Sequence, residues 1–119
     1  MGIDLWTVRL SDAAEADFRR ILRWTVENFS QTQARVYADT LSSALKDLTA
    51  GPEILGVKKR SEIDANILIL HVARKGRKGR HFILFRVNKQ ENNVIDVLRL
   101  LHDNMDIERH LPSVETPAA

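Results

Sequence analysis

Two stretches decide the fold: residues 80–88, Arg80-His81-Phe82-Ile83-Leu84-Phe85-Arg86-Val87-Asn88, and residues 94–101, Val94-Ile95-Asp96-Val97-Leu98-Arg99-Leu100-Leu101. Each is about one strand long and rich in β-branched and aromatic residues. Both are apolar on two sides, as strands in the middle of a covered sheet are. Residues 67–74, opening Ile67-Leu68-Ile69-Leu70, form a third such run. The connections Lys75-Gly76-Arg77-Lys78-Gly79 and Lys89-Gln90-Glu91-Asn92-Asn93 have hairpin length and hold residues that tolerate positive φ. Residues 67–101 therefore predict an antiparallel meander. Strict alternation along the last strand places Ile95, Val97, Arg99 and Leu101 on one side and Val94, Asp96, Leu98 and Leu100 on the other.

Upstream, Leu5-Trp6-Thr7-Val8-Arg9-Leu10 alternates and predicts a first strand. Asp12 followed three residues later by Glu15 matches a capping box, with Ser11 as the competing cap. Ala14, Phe18, Ile21, Leu22, Thr25 and Phe29 then recur at spacings of 3 or 4, one apolar helix face. Ser30 opens a second helix whose stripe is Ala34, Tyr37, Leu41, Ala44, Leu45 and Leu48, and Gly51-Pro52 stops it. So short a connection folds the helices into an antiparallel hairpin. Residues 53–65 read as an irregular, partly basic crossing. Residues 105–110 predict a short last helix capped by Asp103 or Asn104. The expected fold is α+β: a helical hairpin on one face of a four-stranded, mainly antiparallel sheet, order β-α-α-β-β-β.

A chain of 119 residues suits one domain, with an ordered core over about 4–111. At 44% hydrophobic and 29% charged residues it can bury a core. The absence of cysteine excludes disulfides, thiolate metal sites and a cysteine nucleophile. The longest apolar run, Ile67 to Leu70, is far short of the roughly 20 residues that span a bilayer. The start has no cationic segment leading into an apolar one, so no signal peptide is read there. The expectation is a cytoplasmic protein without membrane partner, cofactor or metal.

Charge is uneven. Residues 58–86 carry nine Lys and Arg against Glu62 and Asp64, whereas the flanking regions are net negative. A patch of that kind favours a polyanion or an acidic protein segment. The plainer reading is a hairpin whose cations prevent edge pairing. Arg86 and Arg99 lie mid-strand, where a charge is costly unless paired or solvent-facing. They suggest an open sheet face able to bind carboxylates or phosphates. Gly76 and Gly79 between cations could cradle a phosphate, but no helix follows, so a plain loop is preferred. Asp103 to Glu108 lacks the glycine and spacing of a calcium loop and reads as a helix cap.

Val8-Arg9-Leu10-Ser11 before an acidic, alanine-containing helix start resembles the opening of the RelE/ParE superfamily of toxins from type II toxin–antitoxin modules. The resemblance continues through Ile21-Leu22-Arg23-Trp24 to Asn28-Phe29 and Ala34-Arg35-Val36-Tyr37. The ending Val97-Leu98-Arg99-Leu100-Leu101-His102-Asp103-Asn104-Met105-Asp106 is similar to the ParE branch. It implies a cognate antitoxin as partner, in a toxin–antitoxin hetero-oligomer. It also implies one of two activities: binding and inhibiting DNA gyrase, or ribosome-dependent cleavage of messenger RNA.

Messenger cleavage needs a base for the 2′-hydroxyl, cations on the phosphate and an acid for the leaving oxygen. The candidates are Arg60, Lys78, Arg80, Arg86, Arg99 and His102, with Arg80, Arg99 and His102 as the core of a RelE-like site. His71 reads as a satisfied core or edge residue, His81 as a neighbour of the basic hairpin, and His110 as terminal. Tyr37, on an apolar stripe, reads as core, leaving no tyrosine for the acid role. Only Glu62 or Asp64 could serve as an acidic base. That incomplete cast favours the non-enzymatic reading. The surface expected to meet partner proteins comprises Trp24, Arg60, Arg80, Arg86, Arg99, His102 and Met105. A small basic nucleic-acid-binding module is the rival class. Its stacking residues, Phe82 and Phe85, fall on opposite strand faces, so direct DNA binding is not expected.

Overall fold

A computed structural model of the chain describes residues 5–61, 64 and 66–104. Strand β1 (Thr7–Leu10) leads into helices α1 (Asp12–Asn28) and α2 (Gln31–Asp47), the second closed by a 3₁₀ turn at Leu48–Ala50. Then follow β2 (Lys58–Lys59), β3 (Leu68–His71), β4 (His81–Val87) and β5 (Val94–His102). The sheet order is β1-β5-β4-β3-β2, with β1 parallel to β5 and every other pair antiparallel. The expected α+β plan holds, with a fifth strand. Within the crossing, Lys58 and Lys59 pair with Ile69 and Leu68 as a two-residue edge strand. Its brevity and its exposed lysines suit an edge that must not recruit another chain. The helix expected over 105–110, and Met105 with it, falls outside the described residues, as does Glu62.

The helices start where serine oxygens can cap them. Ser11, rather than Asp12, is the α1 cap: its hydroxyl accepts the Ala14 N–H at 3.0 Å and donates to the Leu98 carbonyl at 2.9 Å. Ser30 accepts the Gln33 N–H at 3.0 Å at the start of α2. Gly51 ends the helical region at φ +116°, and a Cβ there would lie 3.2 Å from the Trp6 indole nitrogen. Glycine answers both needs.

Two apolar clusters sit on opposite sheet faces. The larger joins Ala14, Leu41, Ala44 and Leu48 of the helices to Leu70, Ile83, Phe85, Ile95, Val97 and Leu100. The other gathers Ile67, Ile69, Leu84, Leu98 and Leu101. The division departs from strict alternation in β5. Leu84 pairs with Arg99 while Phe85 pairs with Val97, so Leu98 is the extra residue of a β-bulge. Past the bulge the parity flips: Leu100 joins Ile95 and Val97 in the larger cluster, and Leu101 joins Leu98 in the other.

The bulge lies where β1 stops. Beyond Leu10, α1 supplies partners to that edge of β5: the Ser11 N–H bonds the Val97 carbonyl, and the Leu100 N–H donates to Asp17 at 2.9 Å. The Asp17 carboxylate, only 2% exposed as a residue, also accepts Arg99 Nε at 2.7 Å, Arg99 Nη2 at 2.9 Å and Arg20 Nη1 at 2.8 Å. Arg99 is thereby a bolt between α1 and the sheet, a correction to its expected place on an open binding face. Among the described residues, no helix is long and apolar enough to cross a membrane.

Candidate functional site

A groove of about 870 Å³ opens between the helix hairpin and the ends of β4 and β5. One wall is apolar. Trp24 is 55% exposed and Phe29 67%, and their rings meet edge to face with centroids 5.7 Å apart. Phe29 was expected on the buried stripe of α1. Instead it is the C-cap residue, past the last helical position, and the stripe no longer constrains it. Lys78, Arg80 and Arg20 line the same groove, so an aromatic wall stands beside cations.

The polar wall is built by the hairpin's return into β4. The Tyr37 hydroxyl accepts the Arg80 N–H at 3.0 Å and lies 2.6 Å from His81 Nδ1. The phenol and the imidazole share that hydrogen bond, and the His81 tautomer decides which of the two donates. Burial, with the neighbouring His102 second, pushes the His81 pKa down to about 4, and burial also raises that of Tyr37. The His81 and His102 rings meet edge to face at 5.3 Å. Gly79 makes this possible: a Cβ there would approach Val72 to 2.6 Å and the Tyr37 hydroxyl to 3.0 Å. Tyr37 is therefore a groove residue rather than plain core, and a tyrosine does stand beside the histidines.

Asp103 ties the rim together. It accepts Arg80 Nε and Nη2 at 3.1 Å each and His71 Nε2 at 3.0 Å. The Arg80 and His71 hydrogen bonds hold its carboxyl well below the usual range. His71 Nδ1 accepts the Ala73 N–H at 3.0 Å, so both ring nitrogens are used, as expected for a structural histidine.

The site residues read from sequence divide accordingly. Trp24, Arg80 and His102 come together on the groove. Arg99 is held by Asp17. Arg86 stands opposite Asp96 in the β4–β5 register, and Arg60 follows the edge strand with its N–H on the Ile67 carbonyl; neither lines the groove. Met105 lies outside the described residues. Sequence reasoning missed Tyr37, His81 and Phe29. The signal for the first two was present: a phenol on an apolar stripe needs a partner for its hydroxyl, and His81 follows the hairpin that returns beside it. Among the described residues no three His, Asp or Glu side chains are placed to hold a metal ion.

A histidine with a pKa near 4 is a weak base at neutral pH and is almost never charged there to act as an acid. An exposed aromatic pair beside cations is the form of a protein-docking groove.

The pattern of the ParE toxin family of type II toxin–antitoxin systems, parDE, matches residues 8–107. Toxin ParE1 of Mycobacterium tuberculosis, in strains CDC 1551 and H37Rv, is 32% identical over 102 residues, 86% of this chain and 94% of that protein. Among solved structures, the chromosomal ParDE system of P. aeruginosa superposes with a TM-score of 0.57 at 19% identity, over 83% of this chain and 97% of that one. The RelBE2 toxin–antitoxin complex of Mycobacterium tuberculosis superposes at 0.56 with 20% identity, over 82% and 98%. These two share the fold. The chain belongs to the ParE toxin family of type II toxin–antitoxin systems.

Proposed function

We propose that the chain, acting as one cytoplasmic toxin domain, arrests growth by binding DNA gyrase, and that a cognate antitoxin neutralises it by laying an acidic, amphipathic segment in the groove. The observation carrying this reading is that the groove offers an exposed aromatic anchor beside cations, while His81 within it is hydrogen-bonded to Tyr37 and kept neutral. Arg99, expected to contact phosphate in a nuclease, is committed to Asp17. An acidic segment would meet Lys78 and Arg80 while its apolar side covers Trp24 and Phe29, the complementarity that coupled folding and binding requires.

Three variants test it in cells and with purified proteins. Trp24→Ala is expected to weaken antitoxin binding by about 2 kcal/mol or more, the size of an aromatic hot spot. His102→Gln is expected to stay toxic. A chain ending at Asn104 is expected to lose toxicity and supercoiling inhibition while keeping its fold. Intact cellular messengers during arrest would agree with the reading. Unimpaired antitoxin binding by the Trp24 variant would remove the groove from the interface.

One observation favours a second reading, ribosome-dependent messenger cleavage: Tyr37, His81 and His102 stand together beside Lys78 and Arg80. Cleavage of translated messengers that vanishes in His102→Gln and in Tyr37→Phe would establish it and displace gyrase.

A further inference from the structure

A second concavity, of about 470 Å³, lies at the other end of α2, where the helix, the 3₁₀ turn and the start of the basic hairpin meet. Asp47 follows Tyr37 by ten residues, so the site is about 15 Å along the helix from the groove. Its centre is the Asp47 carboxylate, which accepts Arg77 Nη2 at 2.7 Å, Arg74 Nη1 at 2.9 Å and Lys75 Nζ at 3.3 Å. Burial disfavours that charge, yet the bonds from Arg77 and Lys75 outweigh it and lower the carboxyl's pKa. Lys46 adds a fourth cation to the lining. Four cations around one carboxylate leave a surplus of positive charge in a concave place.

The donors are not used up. Arg74 divides its guanidinium between Asp47 and the Leu55 carbonyl, which fixes it in place. Arg77 gives only Nη2 to Asp47, and its buried Nε has no acceptor among the described residues. A buried guanidinium N–H without an acceptor is costly in a finished structure. The turn is also held in an unusual backbone: Lys75 has φ +55° and Gly76 +79°. A lysine in the left-handed region marks a local cost that the surroundings sustain. Here the turn directs Arg74, Lys75 and Arg77 onto one point. Ile54 and Ala50 give the cleft an apolar side.

We propose that this cleft is a binding site for an organic phosphate of mononucleotide size. Its phosphate takes the spare donors of Arg77 and Lys75 with Lys46 nearby, and its organic part rests on Ile54 and Ala50. Arginine forks and lysine together suit a phosphate, and the volume lies within the range of small-ligand sites. Asp47 and the negative end of α2 oppose an anion. Four cations outweigh them, and Asp47 acts as the template holding the guanidinium groups in register. The site goes beyond the proposed action on gyrase and shares no lining residue with the groove.

The test uses the full-length chain with ATP, pyrophosphate, a short single-stranded oligonucleotide and poly-glutamate, followed by titration calorimetry and amide NMR shifts. Saturable ATP binding that shifts the amides of Lys46 and residues 74–77 is expected. The pair Lys75→Gln with Arg77→Gln is expected to weaken it by about tenfold or more, from lost charge-assisted bonds. Lys46→Gln, which breaks no ion pair among the described residues, is expected to weaken it as well and covers the case in which the pair fails to fold. The charge-matched pair Lys58→Gln with Lys59→Gln, on the edge strand, is expected to change it by no more than about twofold. Tighter binding of the oligonucleotide would identify a nucleic-acid phosphate as the source, and tighter ATP binding a free nucleotide. Equal weakening by both pairs, equal binding of poly-glutamate, or no saturable phosphate binding would overturn the proposal.

Discussion

Asp17 and Asp103 each accept two nitrogens from one arginine, Arg99 and Arg80 respectively, yet the two regions serve different ends. Asp17 is sealed between α1 and β5, and its other acceptor positions are filled by the Leu100 N–H and Arg20. Asp103 sits at the groove mouth, where the Arg80 side chain is 68% exposed. The same pair chemistry is structural in one place and adaptable in the other. The difference is solvent: a buried carboxylate cannot lose its partners without being left uncompensated, whereas water replaces them at the rim.

Four experiments can break or sharpen this contrast. The largest effect is expected from Asp17→Ala, which removes the buried carboxylate that Arg99, Arg20 and the Leu100 N–H share. A loss of about 3–5 kcal/mol in urea unfolding is expected, as for a broken buried pair. A loss below about 1 kcal/mol would put Asp17 in the same category as a surface ion pair. Next, Gly79→Ala forces a methyl against Val72 and the Tyr37 hydroxyl. It should cost about 1–3 kcal/mol, the range for overpacking, and the His81 ring resonances should move with it.

Acid supplies the third test. His81 has a folded pKa near 4, below its ordinary value of about 6.5, so the unfolded chain takes up the proton first. The stability associated with neutral His81 is therefore present above about pH 6.5 and is lost as the pH falls toward 4. Unfolding midpoints measured across that window should fall for the native sequence and flatten for His81→Gln. An unchanged slope in the variant would mean that His81 is not the group responsible. The smallest effect on stability belongs to Arg80→Ala. Its unfolding curve should coincide with the native one, while antitoxin affinity falls below that of the native protein most at low salt, and the gap narrows as salt rises. A clear loss of stability would show that Asp103 depends on Arg80 as Asp17 does on Arg99.

Much of this could be read before any coordinates. The strands at 80–88 and 94–101 declared themselves by residue type, the helices by their 3- and 4-residue spacing, and Ser30 by its capping position. Trp24, Arg80 and His102 were legible as surface residues because charge or bulk stood where no core position was expected. Arg99 was legible only as a problem, a mid-strand charge in need of a partner. Its partner lies 82 positions earlier on another element, and no local pattern joins the two. The Leu98 bulge escaped for a related reason: it answers the place where β1 ends on the neighbouring edge, and alternation along β5 carries no record of that.

The sequence by itself determined the α+β plan, the broad order of the elements, the Ser30 cap and the charge imbalance, because propensity, periodicity and capping act over a few residues. The tertiary structure decided which arginines are bolts and which are rim, and it brought Tyr37 from α2 onto His81 after the hairpin. It also gathered Arg74, Lys75 and Arg77 on Asp47. Those outcomes depend on how buried charges and hydroxyls find partners across the fold, and only packing sets which groups lose water and which keep it.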